Sequence, residues 1–573
     1  MNQPPADLDA QPDAPRASGS AADAPESPGQ DQQEDRITGP AQRMQTALRK
    51  AGRSARTAVT RPHVRPVAVL ALTVAAIQAA FGLQQFKDFN IGGYDLVIFD
   101  QAIRNYAHGG MPVSMFKNVH DAAQVNPAFT GTFSILGDHF SPILVLLAPL
   151  YWIWNDPQVL LLAQAALFGL AVPSIWVFAR RALLRVTSPR AAATGAYLAS
   201  LAFGLYWPLQ EATLAGFHEV AFFVPLSAIL IERYQAGRLR HAVICALALL
   251  AVKEDCGYVV AAFGLLLILT RRVNGVRLGR AERRRYRITG LCLVVGGVIF
   301  AQLVLDLWIP AFGGTPGFYW YYAQLGPDMA GALKTIVTNP VYAFHVATEP
   351  AIKVNTAYFL FWPLLYLSLG SPVVLLAIPL LAERAFSDKP EHWVLDQHYN
   401  AFLAAILVMA AVDGLVRLLG LASRVGVRLG RHRWRAGPRA LRWAATAWSG
   451  LVVLFAVVII HTFPLAAVFS PGGWADSPLI SAEQAAASVV PSGVCVEADN
   501  DIAPHLSSRD QVILLDEVPR GCPWVVLQTA YPSYPISSID LAAQRANWLA
   551  SNGYRLVFSQ NEVYVYYRPQ PAG

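Results

Sequence analysis

A series of apolar runs, several of them close to the ~20 residues that a helix needs to cross a bilayer, constrains this fold most. Runs of 18 residues or more lie near residues 66–83, 159–178, 191–209, 288–309, 399–420 and 443–463. Shorter apolar runs recur between them, and clusters of Lys and Arg end many of the runs. This alternation predicts an α-helical polytopic membrane protein with roughly eleven to thirteen membrane segments, some of them broken or tilted.

Composition supports the same class. Only 14% of the 573 residues are charged, whereas about 25% of an ordinary soluble domain is charged. The net charge of +7 invites a nucleic-acid-binding interpretation, but the basic residues stand where they orient membrane helices. We therefore expect membrane lipids as partners and no nucleic acid. The five cysteines lack CxxC spacing, which argues against a zinc or redox centre.

The chain divides into a tail, a membrane domain and a third region. Residues 1–65 are predicted to be a disordered tail with a basic end, placed in the cytoplasm by the positive-inside rule. Residues 66–463 are the polytopic transmembrane domain, with a large first external loop at 85–141. After that loop, the apolar segment Ile143–Trp154 is ambiguous. Either it crosses only partly, or the basic cluster that begins at Arg180 breaks the positive-inside rule.

Residues 464–573 read as a small α/β domain outside the cell membrane. Short strand-like runs alternate there with a helical stretch, Leu541–Ser551. Cys495 and Cys522 both fall in this region. They either form a disulfide, as an oxidising compartment permits, or remain two buried thiols.

The loop 85–141 gathers ionisable side chains, which are costly beside a bilayer and usually serve function. They include Asp95, Asp100, Arg104, His108, His120, Asp121, Asp138 and His139. Four apolar residues between Asp95 and His108 recur at helical spacing. We expect this stretch to be an amphipathic helix on the membrane surface, ended by Gly109-Gly110.

Asp95 follows a Gly-Gly-Tyr sequence at the start of that helix. A carboxylate there either caps the helix or acts as a general base toward an acceptor hydroxyl. Asp100 points to another side of the helix, where we expect it to be solvated or paired with Arg104. Asp138 and His139 precede an apolar segment. They either bind a metal or a phosphate-linked partner, or cap a helix with Pro142 in its first turn.

Two further charged groups interrupt apolar sequence. His218-Glu219 enters a span, and Lys253-Glu254-Asp255 lies between two spans. At membrane depth such groups need partners or water, and Lys253 would suit a phosphate as a point charge. The alternative for the second group is an exposed hairpin turn at the outer surface.

Aromatic and His-containing segments complete the candidates. The run Phe318–Tyr322 is typical of an interfacial belt, with an aromatic platform for a sugar ring as the alternative. Glu391–Trp393 and Gln397–Asn400 precede another span and could reach the same external cavity.

These motifs together resemble a bacterial polytopic membrane family known as domain of unknown function two thousand and seventy-nine. The resembling pieces are YDLVIFDQAI, LGDHFSPILVLLAPLYWIW, FHEVAFFVPL, VKED, QHYNAF and APHLSSRD. That family is similar to the C-type glycosyltransferases, the superfamily of protein mannosyltransferases and aminoarabinose transferases. Those enzymes carry an acidic residue early in the first external loop, before an amphipathic helix that ends in Gly. Asp95 with Gly109 fits that layout, and Glu219 stands where the relatives carry a second acidic residue.

The resemblance implies an integral-membrane glycosyltransferase that takes a sugar from a polyprenyl-phosphate donor to an envelope acceptor on the outer face. Asp95 would be its catalytic base. The substrate-binding residues would be Asp138, His139, His218, Glu219, Lys253 and Glu254. No cofactor is certain, and a divalent metal is left open. The alternatives are a transporter or lipid flippase, and a non-catalytic envelope assembly protein.

Overall fold

A computed structural model of the chain describes residues 62–117, 134–428 and 438–569, apart from residues 316, 318 and 319. The predicted disordered part of the tail falls on residues outside this set. So do four residues that the sequence interpretation named: His120, Asp121, Phe318 and Tyr319.

Helices dominate the described part of the chain. Those of eight residues or more are α1 (Val64–Lys87), α2 (Gly93–Ala107), α3 (Gln158–Leu183), α4 (Pro189–Gly204), α5 (Trp207–Leu214), α6 (Val220–Gln235), α7 (Leu239–Leu249), α8 (Cys256–Leu269), α9 (Arg280–Leu303), α10 (Met329–Thr338), α11 (Pro340–Thr348), α12 (Ile352–Phe361), α13 (Ile378–Phe386), α14 (Ala401–Arg428), α15 (Pro438–Val458), α16 (Pro478–Val489) and α17 (Ile539–Ser551). The strands are β1 (Arg272–Val273), β2 (Val276–Arg277), β3 (Cys495–Ala498), β4 (Gln511–Leu514), β5 (Trp524–Gln528), β6 (Arg555–Gln560) and β7 (Val563–Tyr567).

Within the described residues, four helical stretches are long and apolar enough to cross a membrane. They are Val64–Lys87, Gln158–Leu183, Arg280–Ala311 and His398–Ala422. Other predicted membrane segments form shorter or interrupted helices. A 3-10 turn at Pro372–Ala377, for example, leads into α13.

The ambiguous segment after the first loop crosses only partly. It consists of a 3-10 turn, Pro142–Leu147, followed by the short helix Ala148–Tyr151. A helical run of this length rises about 15–20 Å, which is less than the hydrocarbon thickness of about 30 Å. The partial-crossing alternative therefore holds.

Helix α14 is the centre of the bundle. Every residue from Ala401 to Val416 is buried, as expected of a helix that is apolar on all sides. Its principal neighbours include α3 and α6. The segment just before α14 is thereby held at one end of the bundle, which positions the candidate site.

The C-terminal region forms a five-stranded sheet of order β4-β3-β5-β7-β6. Strand β3 runs parallel to β4 and β5, while β7 is antiparallel to β5 and β6. Helices α16 and α17 pack on the sheet, and a disulfide joins Cys495 to Cys522. The predicted fold class, a helical membrane protein with a small C-terminal α/β domain, is confirmed.

The C-terminal domain packs against the first two helices through the motif APHLSSRD (residues 503–510). His505 Nε2 lies 2.9 Å from the carbonyl oxygen of Phe86. Farther along, Arg104 of α2 donates to the carbonyl oxygen of Ser507, and just beyond the motif Gln101 Nε2 donates to the carbonyl oxygen of Val512 at 3.0 Å. This motif of the sequence analysis therefore docks one domain on another.

Helix α2 itself was predicted, and His108 caps its end just before Gly109, which has φ +75°. Its proposed position on the membrane surface stays a prediction, but protein covers its apolar face. The apolar residues Leu96, Val97 and Ile103 are fully buried, because the C-terminal domain and the 142–151 segment cover them. Protein rather than lipid satisfies the apolar face of this helix.

Candidate functional site

Segments that are distant in sequence meet at one end of the helical bundle. They are the first turn of α2, the loop before Pro142, the turn entering α6, the turn between α7 and α8, and residues 387–400 before α14. Polar side chains collect in these turns because the helices on either side are apolar. The contacts described below join them into one cluster.

Asp95 faces a pair of histidines. Its Oδ2 lies 3.2 Å from Nε2 of His218, whose side chain is only 3% exposed. The His218 ring stacks on the ring of His398, with centroids 3.4 Å apart. Asp95 caps no backbone group of α2, so the capping alternative does not hold. Its carboxylate remains 40% exposed and is open to a ligand on one side.

Glu219 and Lys253 form a buried ion pair. Lys253 Nζ lies 3.5 Å from Glu219 Oε1, with side-chain exposures of 6% and 2%. The same ammonium group sits 5.6 Å from the centre of the Tyr399 ring. The alternative of an exposed hairpin turn was therefore wrong for Lys253, which is enclosed between a carboxylate and an aromatic face.

Asp138 pairs with Lys117, a residue that sequence reasoning did not select. Lys117 Nζ lies 2.7 Å from Asp138 Oδ2, and both side chains are largely buried. Lys117 also lies over the ring of Tyr94, 5.3 Å from its centre. Tyr94 precedes Asp95, so this pair lies against the first turn of α2.

The contact between His139 and Glu254 joins two of the segments that form the cluster. His139 Nδ1 lies 2.8 Å from Glu254 Oε1. The second carboxylate oxygen accepts a hydrogen bond from the amide of Phe140 at 2.9 Å. Three residues further on, the amide of Ile143 donates to the carbonyl oxygen of Ala251. These contacts join the loop before Pro142 to the α7–α8 turn.

A row of rings extends from the histidine pair across the site. The ring of Tyr399 lies 4.1 Å from that of His398 and 4.8 Å from that of His392. The ring of Tyr321 follows at 5.3 Å from His392, with Lys389 Nζ lying over it at 5.1 Å. The two His-containing segments that were expected to reach a common cavity thus meet. The sequence analysis missed Lys389, although this residue stands two positions before the segment that begins at Glu391.

The surroundings keep the Asp95 carboxylate ionised. Burial is the largest single influence and would raise its pKa, but the nearby His218 together with Lys117 and Lys389 outweighs burial. As a result, the pKa lies below the ordinary value of 3.8. Asp95 is therefore present as the anion that a proton acceptor has to be.

Three lysines, two of them paired with carboxylates, lie near the ring of Tyr321. Burial lowers the pKa of Lys389, and Lys253 and Lys117 lower it further against the opposing effect of Glu391. Burial together with Lys389 and Lys253 also lowers the pKa of His392 to about 2, so this imidazole is neutral. Three ammonium groups within electrostatic range of one another favour the binding of an anion.

Several buried polar atoms of the cluster have no hydrogen-bond partner among the described residues. They include both ring nitrogens of His218, Nδ1 of His392 and of His398, and Oδ1 of Asp138. Buried polar groups are normally satisfied, so a set of unsatisfied ones that share a site points to an absent ligand or to water. Imidazole nitrogens and a carboxylate oxygen are suitable partners for hydroxyl groups.

Not every candidate joins the cluster. Asp100 is fully buried, pairs with Arg104 at 2.7 Å and accepts a hydrogen bond from Tyr151 at 2.8 Å. The solvated alternative was wrong and the pairing with Arg104 is confirmed.

As for the divalent metal, the described residues contain no group of three His, Cys, Asp or Glu side chains that could hold one. The divalent metal remains a prediction.

The chain is similar to solved structures that include the following two. One is ArnT from Cupriavidus metallidurans bound to undecaprenyl phosphate, which is 14% identical and has a TM-score of 0.44. The alignment covers 88% of this chain and 99% of that one. The other is the oligosaccharyltransferase of Archaeoglobus fulgidus in its apo form, which is 13% identical and has a TM-score of 0.41. That alignment covers 87% of this chain and 74% of the other.

Among curated proteins, no sequence matches this chain. A family of membrane proteins does match it, over residues 85–565, a stretch that contains the site and nearly all of the C-terminal domain. Because the match extends over most of the chain, the protein belongs to the family described as Predicted membrane protein (DUF2079).

Proposed function

We propose that the protein is an integral-membrane glycosyltransferase that takes a sugar from a polyprenyl-phosphate donor. The observation that supports this most is the position of one partly exposed carboxylate, Asp95, among three lysines and several unsatisfied imidazoles. A lipid-linked sugar phosphate presents complementary groups, namely an anionic phosphate and a set of hydroxyls.

In the proposed reaction, the phosphate of the donor binds near Lys253, Lys389 and Lys117. Asp95 accepts the proton of an acceptor hydroxyl as its oxygen attacks the anomeric carbon of the sugar. The bond between that carbon and the phosphate oxygen breaks, and the electron pair leaves with the phosphate. The ammonium groups stabilise the charge that develops there, and the lipid phosphate is the second product.

The site and the C-terminal domain are assigned to the outer face of the cell membrane. The basic clusters at residues 233–240 and 271–287 lie at the opposite ends of α6 and α8 from the site. By the positive-inside rule, those clusters are cytoplasmic. The acceptor is therefore expected to be an envelope molecule outside the membrane.

The first prediction concerns Asp95→Asn, which removes the base and keeps the size of the side chain. In a strain whose envelope glycan depends on the wild-type gene, we expect the glycan to fall by at least a hundredfold, in line with the usual contribution of a general base. The measurement is the glycan yield at matched protein level.

Asp476→Asn is the matched control. Asp476 lies in an exposed ion pair with Lys87, and its substitution should leave the yield unchanged. Full glycan yield in the Asp95→Asn strain would remove Asp95 from the mechanism. Lipid flipping by proteoliposomes without any sugar transfer would favour the flippase alternative instead.

A further inference from the structure

We propose that Asn500 of the C-terminal domain is a positioning residue for Asp95, so that this domain completes the site. The inference rests on the proposed role of Asp95. It starts from the Gly-Gly-Tyr sequence before Asp95, which the proposed mechanism does not use.

Asn500 caps the helix that carries Asp95. The first amides of a helix have no partner within the helix and need one from elsewhere. Here the amide of Gly93 donates to the carbonyl oxygen of Asn500 at 2.6 Å. The amide of Tyr94 donates to Oδ1 of the same residue at 2.7 Å. The N-cap residue Gly92 has no side chain for this task, so the cap comes from 406 residues further along the chain.

The glycine pair makes this approach possible. A Cβ at Gly92 would overlap the side-chain amide of Asn500. A Cβ at Gly93 would lie 3.0 Å from the Asn500 carbonyl oxygen and 3.0 Å from Phe116. Any larger residue would push the C-terminal domain away from α2. The glycines therefore serve the contact with Asn500.

The loop that presents Asn500 is itself held in place. On one side, Asp499 accepts a hydrogen bond from Ser533 at 2.9 Å. On the other, Asp501 accepts one from the hydroxyl of Tyr531 at 3.0 Å. Asn500 Nδ2 also donates to Asp501 at 3.2 Å. Such a network fixes the rotamer of the cap, which suits a residue that sets the position of another.

Loss of the cap frays the first turn of α2, and that turn includes Asp95. The carboxylate then leaves its contact with His218. A misplacement of about 1 Å costs up to a hundredfold in rate when geometry is essential. We therefore expect Asn500→Ala to lower glycan yield by about ten- to a hundredfold at normal protein level.

Asn500→Asp keeps an oxygen that accepts from Tyr94, and its charge suits a helix N-terminus. It should retain the yield within about threefold. His505→Ala is the docking control, because the His505 side chain hydrogen-bonds to the carbonyl oxygen of Phe86 in α1, whereas the amides of Gly93 and Tyr94 bond to Asn500. Equal losses in Asn500→Ala and His505→Ala would overturn the proposal, since Asn500 would then serve only general docking.

A second readout does not depend on activity. In the purified full-length protein, hydrogen exchange of the peptide that contains Gly93 and Tyr94 should accelerate by at least tenfold in Asn500→Ala and stay unchanged in Asn500→Asp. Unchanged exchange in Asn500→Ala would refute the cap. If Asn500→Ala does not fold, Gly92→Ala disturbs the same contact from the helix side and should give the same acceleration.

The two proposals fail differently. Full activity of Asp95→Asn would refute the base, while hydrogen exchange would still report on the cap. Fast exchange in Asn500→Ala with undiminished glycan would refute the positioning role and leave the proposed reaction intact.

Discussion

At the scale of single residues, the contact between His139 and Glu254 shows how two loops of the candidate site are joined. Burial and Lys253 lower the pKa of His139, but Glu254 and Asp138 outweigh them and raise it above 6.5. Burial would raise the pKa of Glu254, yet His139 and Lys253 bring it below 4.5. The pair is thus charged on both sides between pH 4.5 and pH 6.5 and joins two loops that carry other site residues.

This pair should give the protein a defined dependence of stability on pH. A raised histidine pKa contributes stability below 6.5, the ordinary value, and that stability is lost as pH rises through the folded pKa. A depressed glutamate pKa contributes above 4.5 and is lost as pH falls. The melting temperature of the wild type should therefore exceed that of Glu254→Gln most between these two values.

Glu254→Gln keeps the shape and the hydrogen bond to Phe140, so its cost of about 1–3 kcal/mol reflects the charge. Thermal unfolding in detergent between pH 4 and pH 9 would measure the difference. A constant difference over this whole range would show that the pair carries no net charge interaction.

Sequence reasoning found those site residues whose charge stands out against apolar surroundings. Asp95, Glu219 and Lys253 interrupt or border apolar sequence, and each lies in the cluster. Lys117 and Lys389 lie in polar segments, where the sequence does not distinguish a lysine of a site from a lysine that is exposed to solvent. Only the fold shows that these two lie near Asp95.

At the scale of elements, the pair α8–α9 shows how close two membrane helices approach. A Cβ at Gly257 would lie 2.5 Å from the carbonyl oxygen of Gly297, and one at Gly264 would lie 2.5 Å from that of Gly290. Each helix repeats its glycine after seven residues, which places both on one face of an antiparallel pair. Small residues at such contacts permit tight packing where lipid offers no hydrophobic driving force.

The chain provides its own control for this contact. Gly296 and Gly297 are neighbours on α9, but a Cβ at Gly296 would meet nothing within 4 Å. Gly297→Ala should lower the free energy of unfolding by about 1–3 kcal/mol, because the helices must move apart. Gly296→Ala should be neutral or stabilising by up to ~1 kcal/mol, since alanine favours helix.

Unfolding of both variants in detergent, followed by circular dichroism, would compare them directly. Equal stability of the two variants would mean that the glycine contact between α8 and α9 does not limit the packing.

Apolar runs in the sequence located most of these elements but not their lengths. The apolar run at 288–309 is part of one long helical stretch. The apolar run at 372–383 instead begins with a 3-10 turn, Pro372–Ala377, which follows Ser371. The residue before a proline avoids the α conformation, so the break itself was foreseeable. Which neighbouring group satisfies the backbone groups that are freed at the break depends on tertiary packing. The sequence of a single apolar run does not specify that packing.

At the scale of the whole molecule, the C-terminal domain is part of the site rather than an appendage. Local pattern predicts strands β4 to β7 and helix α17, but not strand β3, helix α16 or the docking of the domain. The contact between Asn500 and Tyr94 joins residues 406 apart, and no periodicity reports such a pair. The motif APHLSSRD was recognisable only as a resemblance, and its docking role needed the fold.

The last prediction tests on which side of the membrane this domain lies. Cys495 and Cys522 are joined by a disulfide, whereas Cys245, Cys256 and Cys292 are free. A disulfide persists in an oxidising compartment and is rare in the cytosol. If the domain faces outward, the protein from freshly lysed and denatured cells should offer three thiols to a maleimide reagent, and five after reduction.

The double substitution Cys495→Ser with Cys522→Ser should destabilise the domain by about 2–4 kcal/mol and leave the count at three with or without reductant. Because Asn500 docks this domain on the helix that carries Asp95, the same experiment locates the site. Five reactive thiols in the unreduced wild type would place the domain in the cytosol. The acceptor would then have to be a cytosolic molecule, and an envelope glycan would no longer be a candidate.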